Sequence, residues 1–159
     1  MNRAYLYTGL ESGIVALLSF VGGYGFTSLF HGASAEIGGL WALISGIVVL
    51  QATRRAASAA AWLRLVGTFV GAIVSATYLL LFPFSALGMA ACIVATVLLC
   101  ELLKVPDDGR LASITVAVIM VVSVVDPTVP PITNATLRFV ESCIGTAVGV
   151  GLVYAVRRA

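Results

Sequence analysis

Apolar positions fill this chain in six runs, broken by short polar stretches. The first run, Tyr5 to Phe30, is long enough to cross a hydrocarbon core about 30 Å thick and carries one formal charge, Glu11. Gly9 and Gly13 flank that acid at the spacing that lets a neighbouring helix come close. A glycine-bearing loop, His31 to Ser34, separates it from the second run, Glu36 to Thr53, which holds Trp41, Ser45 and Gln51 and is closed by Arg54 and Arg55. Small residues, Ala56 to Ala61, lead into the third run, Trp62 to Phe82, with Arg64 near its start and Pro83 just past its end. The fourth, Phe84 to Leu103, begins almost at once, so runs three and four predict a tight antiparallel hairpin. The connector Lys104 to Arg110 is the most polar stretch, and Pro106-Asp107-Asp108-Gly109 predicts a solvent-exposed turn. The fifth run, Leu111 to Val125, is short and ends at Asp126-Pro127; the sixth, Thr136 to Val156, has Arg138 near its start and Arg157 and Arg158 after it.

Composition agrees with this pattern. Sixty per cent hydrophobic and 10% charged residues in 159, with a mean hydropathy of +1.09, exclude a soluble globular domain and predict an all-α, multi-pass membrane protein of six transmembrane helices. The connectors leave no room within residues 1–159 for a second domain. The first run is expected to stay as a helix rather than be cleaved as a signal peptide, because no small-residue cleavage site follows a short apolar core. A net charge of +2 does not point to nucleic acid, since the basic residues cap apolar runs rather than line a polar face. Cys92, Cys100 and Cys143 lie within apolar runs as small hydrophobes, and no disulfide framework, metal site or cofactor is expected. There is no catalytic constellation, so the chain does not read as an enzyme.

One pattern occurs twice. Leu63 to Ala76 and Leu137 to Leu152 align with Arg64 on Arg138, Thr68 on Ser142 and Gly71 on Gly145, 74 residues apart (64 to 138). Three runs per half make the halves antiparallel, so the chain reads as a 3+3 inverted repeat, with repeat one over 1–83 and repeat two over 84–159. The basic residues orient it. With both termini cytoplasmic, the inner side receives Arg3, Arg54, Arg55, Arg64, Lys104, Arg110, Arg157 and Arg158, and the outer side only Arg138.

The candidate functional residues follow. Arg64 and Arg138 suit a carboxylate, because a guanidinium inside a span is expensive unless it faces a cavity or a partner. The alternative is that each snorkels to the headgroups at its helix start, or that Arg138 pairs with Glu141 one turn on. Thr68 and Ser142 follow them as possible pathway hydroxyls, with Gly67, Gly71, Gly145 and Gly149 as helix-packing positions. Glu11 and Glu141 are the candidates for proton coupling; otherwise Glu11 lies at the interface and Glu141 neutralises Arg138. Trp41, Trp62, Tyr78, Phe82 and Phe139 lie near run ends, as belt aromatics do, and Trp41 is also a candidate to face a substrate ring.

From Trp41 to Ala72 the chain resembles the fusaric acid resistance and aromatic acid exporter superfamily (FUSC-like) in its Trp41-Ala42 opening, its Gln51, and Arg64 with Gly67-Thr68 and Gly71. The later stretches around Lys104 to Val121 and Leu137 to Val153 are similar to that family's second half. The resemblance, distantly shared with plant aluminium-activated malate transporters, implies a bacterial inner-membrane exporter of organic, including aromatic, carboxylates. It also implies proton drive. Gln51 and Trp41 join the substrate set through it. Better-known members of that family have a cytoplasmic domain, a second six-helix unit, or both, and neither is expected within residues 1–159; a homo-oligomer, a dimer foremost, is expected to supply the second unit. A passive anion channel and a non-transporting membrane scaffold are the alternatives.

Overall fold

The computed structural model describes residues 3–104 and 109–157, and within them the secondary structure is helical throughout. Six α-helices follow one another: α1 (Arg3–Phe30), α2 (Ala35–Val49), α3 (Arg54–Leu81), α4 (Ala86–Leu102), α5 (Gly109–Val125) and α6 (Pro131–Val156), with a 3-10 turn at Gly32–Ser34. Four stretches, Tyr5–Phe30, Gly32–Val49, Arg54–Leu81 and Pro131–Val156, are long and apolar enough to cross a membrane. α4 and α5 are apolar but shorter, 17 residues each, or about 25 Å at the rise of an α-helix. Of the turn expected at Pro106 to Gly109, residues 106–108 lie outside the described residues, as do Arg158 and the side chain of Arg3, while Gly109 opens α5.

Helix boundaries depart from the apolar runs in two places that matter. α3 begins at Arg54, eight residues before the expected Trp62, because Ala56 to Ala61 are strong helix formers even though their hydropathy is unremarkable. α6 begins at Pro131 rather than Thr136, with proline at the first helical position, where its missing N–H costs nothing. Both arginines therefore lie well inside their helices, Arg64 more than two turns from the start of α3 and Arg138 two turns into α6.

The helices pack into two compact units: one of the described residues up to Trp62 and from Glu141 on, the other from Leu63 to Val140. In the first, α1 presents Val15, Ser19, Gly23 and Thr27, all buried, at a four-residue spacing that sets them on one stripe. α2 answers with Gly38, Ala42, Gly46 and Val49, also buried. A Cβ on Gly23 would lie 2.5 Å from that of Ala42, and one on Gly149 2.5 Å from both the Gly46 oxygen and Val49 Cγ2, so glycine is what lets these backbones meet. Gly145 sits directly against the carbonyl of Ala42. α6 enters this unit by its later residues, and at its end Arg54 donates to the Tyr154 carbonyl at 2.9 Å with its guanidinium 5.1 Å from the ring centre.

The second unit is built on α3, α4, α5 and the start of α6. Gly71 of α3 faces the backbone of α5 at Ala112, where a Cβ would lie 2.6 Å from the carbonyl oxygen. Around it, Val70, Cys100 and Ala112 form one apolar cluster, Ala72, Ile119 and Ala135 a second, and Cys92, Val116 and Met120 a third. Phe69 meets Phe139 edge-on at 5.6 Å while Ala72 packs with Ala135, so α3 and α6 run antiparallel here. Asn134 ties α6 to α5 by donating to the Ile119 carbonyl at 2.9 Å.

Candidate functional site

Arg64 and Arg138 are both fully buried, and both belong to the second unit. Arg64 lies ten residues into α3 and Arg138 seven residues into α6, each with its side chain buried. The Phe69–Phe139 contact lies next to Arg138 in sequence and five residues, about 7 Å of helix, from Arg64. Beside it is a cavity of about 220 Å³ lined by Phe69, Ala72, Ile73, Ala76, Ile132, Ala135, Thr136 and Phe139. Its one hydroxyl, on Thr136, donates to the Ile132 carbonyl of its own helix at 2.8 Å. Thr68 is buried and likewise bonded to its own helix, donating to the Arg64 carbonyl at 2.7 Å.

The remaining candidates fall in the first unit. Glu141 is fully buried, and Thr27 donates to its Oε1 at 2.6 Å. A methyl at Gly38 would come within 2.7 Å of that same oxygen, so α2 makes room for the carboxyl group by having no side chain there. Ser142 lies 3.1 Å from Ser45, whose hydroxyl is also 2.9 Å from the Trp41 carbonyl. Trp41 is 2% exposed, which corrects its assignment to the aromatic belt: it is a core residue of α2, whereas Trp62 at 64% and Phe82 at 57% have the exposure of belt residues. Gln51 donates to the Val48 carbonyl at 3.0 Å, capping the end of α2. Glu11 forms an ion pair with Arg157 at 2.6 Å, in a partly exposed position.

The candidate set thus divides. Arg64, Gly67, Thr68, Gly71 and Arg138 belong to one unit, and Glu11, Trp41, Gln51, Glu141, Ser142, Gly145 and Gly149 to the other. Sequence reasoning passed over Thr27, Ser19 and Asn134, and treated Ser45 only as a residue of the second run. The signal for two of them was available in the stripe Val15-Ser19-Gly23-Thr27, a helical period of small and hydroxyl residues.

Neither curated proteins nor solved structures gave a match to this chain. A family model described as fusaric acid resistance protein-like matches residues 13–152, a span that reaches into all six helices. The chain belongs to the fusaric acid resistance protein-like family and is a multi-pass membrane protein of a transport and efflux family.

Proposed function

We propose that the protein exports organic carboxylates, aromatic ones among them, across the bacterial inner membrane, coupled to protons and acting as a homo-oligomer, with a dimer the simplest case. The observation that carries this reading is the pair of arginines, fully buried in apolar helices at equivalent positions of α3 and α6. A guanidinium held away from water binds a carboxylate far more strongly than one on a surface, and its planar fork fixes the carboxylate's orientation. The aromatic edges of Phe69 and Phe139 suit a flat substrate ring.

The 3+3 inverted repeat belongs to the same proposal. It is supported by the antiparallel run of α3 and α6, and by the equivalent use of Gly71 against α5 and Gly145 against α2. In each case the third helix of one half packs on the middle helix of the other. Glu141 takes the coupling role, because it is buried and held by a hydroxyl; Glu11, paired with Arg157 at the end of α6, keeps the position of an interfacial ion pair.

The test is uptake of a radiolabelled hydroxybenzoate into proteoliposomes, with and without a pH gradient, for wild type, Arg64→Gln, Arg138→Gln and Glu141→Gln. Gradient-driven flux lost in both arginine variants, with fold and assembly intact, is the expected result. Flux indifferent to the gradient makes the protein a passive channel. Arginine variants that behave as wild type overturn the reading.

A further inference from the structure

Buried hydroxyls line the core of the first unit in successive layers. Thr27, Gly38 and Glu141 form one, with the carboxyl oxygen 2.6 Å from the Thr27 hydroxyl. Ser45 and Ser142 meet at 3.1 Å in the next, and beyond them Ser19 faces Gly46 while Thr146 lies one turn along α6 from Ser142. Ser19 and Thr146 are buried, and their hydroxyls have no hydrogen-bond partner among the described residues. The span from Thr27 to Ser19 is eight residues of α1, about 12 Å. One turn further the polar line stops at Val15, Val49 and Val153, which are 0%, 0% and 1% exposed. Past these valines stands the Glu11–Arg157 ion pair.

Ser45 and Ser142 are hydrogen-bonded, but Ser19 and Thr146 bury hydroxyls that find no partner among the described residues, at a cost in free energy that packing alone does not repay. Alanine would fit every one of those sites. We propose that this core is a proton pathway: Glu141 loads and releases the proton, the hydroxyls of Ser142, Ser45, Ser19 and Thr146 pass it along, and the three valines close the line short of Glu11 and Arg157. The proposal rests on the coupling role given above to Glu141. Each hydroxyl, bridged by water where needed, accepts a proton on its oxygen and gives up the one it carried, so Glu141 alone changes charge between states. Besides Glu141, and among the described side chains, the charged or titratable groups on the packed elements are Tyr5, Tyr7, Glu11 and Tyr24 on α1, His31 after it, Glu36 on the exposed side of α2, Arg54 and Arg55 at the start of α3, and Arg138, Cys143, Tyr154 and Arg157 on or after α6 itself.

The experiment measures proton entry into proteoliposomes holding a pH-sensitive dye, driven by a potassium diffusion potential with no organic anion present. Val49→Thr and Val153→Thr keep the side-chain outline and add a hydroxyl where the line is closed. Proton entry several-fold faster than in wild type is expected for each, falling back to the wild-type rate when Glu141→Gln is added. Correctly folded threonine variants as tight as wild type overturn the proposal, and so does a leak that survives Glu141→Gln. Ser19→Ala with Ser45→Ala tests the same line without touching the valines: gradient-driven anion flux is expected to be lost while anion exchange at equal pH persists. Wild-type coupling in that variant also overturns the pathway. Anion flux indifferent to the gradient in wild type would instead defeat the coupling reading itself, and the leak assay separates the two failures.

Discussion

At the scale of single residues, the glycines divide by what stands opposite them. Gly145 is pressed against the Ala42 carbonyl, and a methyl there has to displace backbone, which does not yield as a side chain does. Gly13 has nothing within 4 Å of its Cβ position among the described residues. Gly145→Ala is therefore expected to destabilise the protein by about 1–3 kcal/mol. Gly13→Ala is expected to be neutral or to stabilise by about 0.5–1 kcal/mol through helix propensity. Unfolding in mixed detergent micelles measures both; equal behaviour of the two would show that α2 and α6 do not approach as described. The paired pattern Arg64-Thr68-Gly71 and Arg138-Ser142-Gly145 was legible in the sequence because spacing survives without coordinates. The partners were not: Thr27 is 114 residues from Glu141, and nothing local in either segment announces the bond.

At the scale of elements, α3 is the informative helix. Hydropathy placed its start at Trp62, yet the alanine-rich stretch before it is helical and carries Arg54 and Ser58 to Tyr154, with Ser58 Oγ and the tyrosine hydroxyl 3.0 Å apart. Ala59 is exposed in this stretch. If the stretch is helical, Ala59→Gly costs about 1 kcal/mol and Ala59→Pro about 3 kcal/mol. If it were a loop, neither change would matter, so thermal denaturation in detergent decides. The same measurement on Tyr154→Phe isolates the hydroxyl shared with Ser58, for which a loss of about 0.5–1.5 kcal/mol is expected.

At the scale of the whole molecule, the distribution of lysine and arginine bears on orientation. Arg55, in the basic first turn of α3, and Thr128, in the connector before α6, which has no basic residue, are both exposed. With Cys92, Cys100 and Cys143 replaced by alanine, Arg55→Cys is expected to react with a membrane-impermeant maleimide only in inside-out vesicles. Thr128→Cys is expected to react only in intact cells. Labelling of both from one side would refute the proposed topology and the inverted repeat with it.

What the sequence determined by itself was the solvent and the element type. Long apolar runs require backbone hydrogen bonds to close within each segment, which makes helices unavoidable in a bilayer. It also exposed the duplicated arginine pattern and the family resemblance, since both depend on order and spacing along the chain. Tertiary structure alone decided which helix faces meet. α3 packs by Gly71 on α5, α6 packs by Gly145 on α2, and the second of these brings Glu141 to Thr27. The physical reason is that lipid is as apolar as leucine, so hydropathy does not distinguish a lipid-facing position from a helix contact. Close approach and buried hydrogen bonds make that choice, and they join residues far apart in the chain.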